Sequence, residues 1–279
     1  MRVVKVVPYD PGWIGLFESE AALLRSVFGN VVVAIHHIGS TSIPGMTAKP
    51  IIDVLLEVRD IERVDGYNEK MRRLGYDPRG EYGLARRRYF PKTVEGKRVV
   101  HVHSWERGDP EILRHLAFRD YLIAHPLEAA AYGSLKTELV RQYAGDNEAY
   151  IAGKHDLCVR MEGKAMAWQE DLSAQIQESA RLQLVPLSAA QLEFLLKRPE
   201  QLEAALGTAV SRQVANSAVV RHAIRLKKYL IIHDTEEAFP WHTYWLAIVR
   251  AKRFGAGLIG FKGVPDGQGE VEIGYGIDP

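Results

Sequence analysis

Cysteine is nearly missing: Cys158 stands alone in 279 residues. That excludes an internal disulfide framework and any zinc site built on cysteines, and it makes a reducing compartment the simplest inference. Long apolar runs are missing too. None approaches a membrane span, and Met1-Arg2-Val3-Val4-Lys5-Val6-Val7-Pro8 is too short an apolar stretch for a secretory signal. Neither sign of charge is in excess. Lysine and arginine number 36 against 35 acidic residues, so a net charge of +1 gives no global attraction to nucleic acid or to an anionic membrane. The expectation is a cytoplasmic protein with neither membrane nor nucleic acid as its partner. The Walker pattern G-x-x-x-x-G-K-[ST] is also absent, because Gly39 and Gly45 are too far apart and Met46-Thr47 follows.

What is present suits a globular α/β chain: 47% hydrophobic, 25% charged and long enough for two domains. The chain is organised around His36-His37-Ile38-Gly39-Ser40-Thr41-Ser42-Ile43-Pro44-Gly45 and the Lys49-Pro50-Ile51-Ile52-Asp53 that follows. An apolar run from Val31 to Ile35 predicts a buried strand, and Pro50 to Val58 predicts a second one. Between them lies a loop of small residues. Gly39 lets the backbone approach a ligand. Ser40, Thr41 and Ser42 offer hydroxyls and backbone N–H groups to phosphate oxygens. Lys49 adds a point charge, and Asp53 is a hard oxygen donor of the kind Mg2+ takes. A plain Pro-Gly turn between strands is the simpler alternative.

Period-2 alternation puts Asp53, Leu55 and Glu57 on one strand face and Ile52, Val54 and Leu56 on the other. Further on, Val99-Val100-His101-Val102-His103-Ser104-Trp105 alternates likewise, with His101, His103 and Trp105 sharing a face. Two imidazoles on one face suit a metal or a phosphate. Either histidine alone could be a hydrogen-bonded core residue. Arg86-Arg87-Arg88-Tyr89-Phe90 could meet phosphates; a solvated strand end with its aromatics in the core is the weightier reading. Arg119-Asp120 could help orient a phosphate or the His-x-His strand; an ordinary ion pair on a helix surface is the weightier reading.

These motifs resemble the GrpB family over about Val6 to Trp168, in Ile38 to Gly45 followed by Lys49-Pro50-Ile51-Ile52-Asp53. More broadly they resemble the nucleotidyltransferase fold, a Gly-Ser loop ahead of an acidic strand. The resemblance implies a mixed sheet with flanking helices over residues 1–175, a nucleoside triphosphate as substrate and metal-assisted nucleotidyl transfer. It implies Asp53 and His103 as catalytic, Asp53, His101 and His103 as the metal set, and Lys154, from Tyr150-x-x-x-Lys154, as a second phosphate contact. Leu55 departs from the pattern. Enzymes of that fold carry a second carboxylate there to build a two-metal cage, so a non-catalytic module that binds a nucleotide or phosphorylated small molecule fits the residues equally well.

A polar stretch, Glu170 to Ala180, leads to a second module over 182–279. A strand at Leu182 to Leu187, a helix capped by Ser188, a helix over Asn216 to Ile232 and three strands resemble the first half of a GNAT-type N-acetyltransferase. In that resemblance Glu272 stands where many members activate the acceptor amine. In that family a glycine-rich loop holding acetyl-CoA pyrophosphate comes next, and the sequence reaches Pro279 without it, which argues against acetyl-CoA binding by this chain. An unfinished sheet exposes an edge, so a homodimer formed through this module is expected.

Overall fold

The computed structural model describes residues 5–143, 145–235 and 238–277. The chain divides into two compact units, Met1–Leu122 with Leu127–Met166, and Ile123–Pro126 with Ala167–Pro279. The division falls within a long helix, at Met166.

In the first unit, α1 (Gly12–Phe28) buries Trp13, Phe17, Ala21, Leu24 and Phe28 along one stripe and stops at Gly29, whose φ is 55°. Strand β1 (Val32–Ile38) pairs antiparallel with β2 (Ile52–Val58). After a 3-10 turn at Glu62–Tyr67 and the short α2 (Asn68–Arg73) come β3 (Arg88–Val94) and β4 (Lys97–Glu106). Glu95 and Gly96, at φ 49° and 74°, form the two-residue turn between β3 and β4, matching the twist of the strands they join. The sheet order is β1-β2-β4-β3, with β2 and β4 parallel and the outer pairs antiparallel. Three helices follow: α3 (Pro110–Ala124), α4 (Pro126–Gln142) and α5 (Asn147–Ala174).

The alternation read from the sequence divides the sheet as expected. Ile52, Val54, Leu56, Val100 and Val102 join the α1 residues in the main core. On the opposite face Leu55 and Trp105 pack with Ile38 and with Ile112 of α3. That smaller apolar cluster forms the floor beside the polar residues of the same face.

In the second unit, β5 (Gln177–Glu178), β6 (Leu182–Pro186), α6 (Ala189–Lys197), α7 (Pro199–Leu206), β7 (Ala209–Val210), α8 (Ala218–His233), α9 (Phe239–His242), β8 (Tyr244–Val249), β9 (Phe254–Phe261) and β10 (Ile273–Ile277) follow in turn. The main sheet order is β10-β9-β8-β6-β5, all antiparallel, with β7 pairing parallel to β9. Ser188 caps α6 through a reciprocal pair with Gln191. Helices α7 and α9 are additions to the expected order. The first is bracketed by Pro199 and by a left-handed Gly207, start and stop signals present in the sequence. Asp278 and Pro279 of the expected last strand, and Val3 and Val4 of the first apolar segment, lie outside the described residues. No helix among the described residues is long and apolar enough to cross a membrane.

Candidate functional site

The site is assembled by register. Parallel pairing sets Asp53 opposite His101 and Leu55 opposite His103, and antiparallel pairing sets Ile38 opposite Asp53. Asp53, His101 and His103 each offer a donor atom, and the three atoms lie within 4.8 Å of one another. Asp53 Oδ1 stands 3.0 Å from His101 Nδ1, and both side chains keep about a quarter of their surface exposed (28% and 26%). Burial pushes the Asp53 carboxyl up, but the hydrogen bond from His101 and the nearby imidazoles outweigh it and hold it below its ordinary value. Burial drives His103 down to about 3, with Arg87 and two other imidazoles adding to the fall, so its ring is neutral at physiological pH.

Around this centre stand residues the sequence reading did not assign. The Tyr89 ring lies 5.1 Å from that of His103, Trp105 stacks on His103 at 5.9 Å, and His115 of α3 is 6.2 Å away. Arg87 Nη1 is 3.3 Å from His103 Nδ1. The expected solvated strand end holds at Arg86, which is exposed, and is overturned by burial at Arg87 and Arg88. Arg87 and Arg88 are 6% and 9% exposed; Arg87 is held by the carbonyls of Glu81 and Tyr82, and Arg88 pairs with Asp65 and Glu62. Arg119 and Asp120 are likewise buried as a pair rather than displayed on a helix surface, and Arg119 donates to the His37 carbonyl at 3.0 Å, anchoring α3 to β1. Glu57 is engaged elsewhere, 3.0 Å from Arg107 and 3.5 Å from His36.

The bend lies directly against Asp53. Gly39 has φ 69° and ψ −175°, and a Cβ built there would overlap Asp53 Oδ2. The next three hydroxyls have different partners. Ser42 donates to the Gly39 carbonyl at 2.6 Å, closing the turn. Thr41, 1% exposed, lies between His37 Nε2 at 3.0 Å and the Ile51 carbonyl at 3.3 Å, so its hydroxyl holds the bend together. Ser40 accepts from Lys136 Nζ of α4 at 2.9 Å. Lys136 is 3% exposed and sits over the Tyr132 ring at 4.5 Å, and among the described residues no ion pair joins it to a carboxylate. Burial, with Lys154 nearby, lowers it to about 7. Lys49 and Lys154 lie over the Tyr150 ring at 4.3 and 5.7 Å. Lys136 escaped the sequence reading, yet Tyr132-x-x-x-Lys136 repeats the spacing of Tyr150-x-x-x-Lys154.

Glu272, the other expected catalytic residue, belongs to the second unit. It precedes β10, is 68% exposed at its side chain and pairs with Lys262.

A mixed α/β domain with a carboxylate-imidazole cluster on one sheet face, beside a bend backed by lysines, is the class that this geometry defines. The chain belongs to the GrpB family, whose model, described as GrpB protein, matches residues 3–164. It is 48% identical over 169 residues to UPF0157 protein YqkA of Bacillus subtilis (strain 168), covering 61% of this chain and 49% of that one. The chain thus spans about half the length of that relative. The crystal structure of conserved protein GrpB from Enterococcus faecalis matches at 40% identity and a TM-score of 0.58, over 60% of this chain and 99% of that one. A dephospho-CoA kinase of Mycolicibacterium paratuberculosis is 27% identical over 176 residues, 54% of this chain and 43% of that one.

Proposed function

We propose that the first unit binds a nucleotide or another phosphorylated small molecule, with its phosphate at the corner made by Ser40 and Lys136. The observation that carries this is the Lys136 ammonium. Burying a cation without a carboxylate partner is costly, and such a group pays for itself when an anion arrives. The Ser40 hydroxyl and the Ser40 and Thr41 backbone N–H groups add donors, and Lys154 and Lys49 add positive charge close by. The relative named as a dephospho-CoA kinase supports phosphoryl-bearing ligands as the class, at low identity.

Nucleotidyl transfer is the second reading. Asp53 against Gly39 supports it, since that is the layout of a Gly-Ser loop beside an acidic strand. The residue two positions on is the obstacle. Leu55 is 0% exposed and packed with Ile38, Trp105 and Ile112, so this face lacks the second carboxylate of a two-metal cage. Binding without transfer is therefore the stronger reading.

Thermal shift with ATP, CTP, GTP and sulfate tests the binding proposal. An anion binds the protonated lysine, so affinity is full below pH 7 and falls as the pH rises through the free protein's value of about 7. Sulfate keeps its charge throughout this range. Its dissociation constant should weaken about tenfold between pH 6 and 8.5, the difference between a charged and a neutral hydrogen-bond donor. No shift with any of these ligands at millimolar concentration would dispose of the proposal.

For the second unit, the antiparallel order β6-β8-β9-β10 supports a GNAT-like reading. Glu272 gives acetyl transfer little help, because a solvated carboxylate paired with Lys262 lacks the burial that raises a general base towards neutrality. Pairing of two copies along β10 has firmer support: Ile273, Tyr275 and Ile277 are 53%, 75% and 65% exposed on an edge strand. A dimer is expected by light scattering at micromolar concentration, reduced to monomer by Tyr275→Lys; a wild-type monomer counts against it.

A further inference from the structure

The resemblance to nucleotidyltransferases implies magnesium at Asp53, and the residues present do not fit that ion. Magnesium takes near-octahedral oxygen donors and keeps several waters. This cluster offers one carboxylate and two imidazoles, with Leu55 where a second oxygen donor would stand. Imidazole nitrogen suits zinc, cobalt, nickel and iron, and the affinity of such a set for divalent ions rises along the first transition row.

We infer that Asp53, His101 and His103 form a binding site for a late first-row divalent transition-metal ion, with cobalt or zinc preferred over magnesium. Four observations support it. The three donor atoms already lie within 4.8 Å of one another. They come from adjacent parallel strands in fixed register, so little chain entropy is lost on closing around an ion. Asp53 and His101 are each about a quarter exposed, which gives the ion a route from solvent. Arg87 Nη1, a pure donor, lies 3.3 Å from His103 Nδ1, so that nitrogen carries a lone pair rather than a proton. Binding exchanges the Asp53–His101 hydrogen bond and the Arg87 contact for bonds to the ion. The displaced guanidinium then remains beside positions that the three protein donors leave open, which favours an anionic ligand completing the coordination. The site does not depend on phosphate binding at Lys136, and the metal alone is its probe.

The test is titration of chelator-stripped full-length protein with cobalt(II), followed by its visible absorption bands. One ion per chain should bind saturably. Equimolar zinc should bleach the bands, and about a hundredfold excess of magnesium should leave them unchanged. Asp53→Asn and His103→Gln should each weaken cobalt affinity at least about tenfold, the order of effect that lesser, outer-shell changes already produce. Far-UV circular dichroism confirms that the variants fold, and should one fail to fold, the other decides. His222→Gln, exposed on α8, is the control for adventitious histidine binding and should change nothing. The inference is overturned if no saturable band forms, if magnesium competes at comparable concentration, or if a folded Asp53→Asn or His103→Gln variant binds cobalt as the wild type does.

Discussion

Replacing Lys136 with methionine should raise the melting temperature of the protein near neutral pH and weaken its binding of phosphate-bearing ligands about ten- to a hundredfold. Both effects follow from the same ammonium. Lys136 is 3% exposed and titrates at about 7 in the fold, against 10.5 for a free lysine. The unfolded chain therefore holds a proton that the folded chain gives up between these values. Stability rises with pH across that window, and the full cost is present below pH 7. That cost is on the order of 5 kcal/mol, since each pH unit between the two values is worth about 1.4 kcal/mol. Methionine keeps the length of the stem and its packing on Tyr132 without the charge. For a unit of this size, each kcal/mol recovered corresponds to a rise of roughly 2–4 °C. The gain should shrink as the pH is raised towards 10. Ligand binding should move the other way. Losing a charged donor to phosphate costs about 1.5–3 kcal/mol, or ten- to a hundredfold in affinity. A variant that melts lower than wild type and binds ATP or sulfate as the wild type does would make Lys136 a structural residue and remove the main support for the phosphate site.

The same lysine shows where sequence reasoning stops. Strand faces were legible because alternation has a period of two, whatever lies on either side: Val100 and Val102 had to face the core once His101 and His103 faced away. Lys136 was not, because a lysine on a helix reads as solvated until another segment covers it. Here that segment is the bend itself: Ser40 meets Lys136, and Met46 and Thr47 lie against Gly133 one turn earlier on α4. Arg87 and Arg88 misled for the same reason. Their partners, Tyr82, Glu81, Asp65 and Glu62, are reached through turns that charge patterning does not encode. Local periodicity put Asp53 on one strand face and His101 with His103 on another; that the two strands lie side by side followed only from the resemblance and is seen in their parallel pairing. The lysine beside that cluster depends on long-range packing.

Gly39→Ala should be the most destabilising single-methyl addition in the first unit. Two independent costs meet at this residue. Its backbone, at φ 69° and ψ −175°, lies in a region that only glycine occupies freely, and forcing a side chain there costs about 1–3 kcal/mol. The new Cβ would also overlap Asp53 Oδ2 and lie 3.1 Å from Asp53 Cβ and Cγ. The carboxylate is held by His101 and cannot retreat without giving up that hydrogen bond. The sum is about 3 kcal/mol or more, a fall of roughly 6–12 °C in a unit of this size. A double-mutant cycle with Asp53→Gly separates the two costs. Removing the Asp53 side chain takes away the overlap but not the backbone strain, so the pair should couple by about 1–2 kcal/mol in the favourable direction. The cycle reads out the geometry on which both ligand proposals depend, because Gly39 is the point where the hydroxyl-bearing bend touches the acidic strand. If Gly39→Ala melts with the wild type, the bend does not rest on Asp53, and phosphate corner and metal cluster are no longer parts of one site.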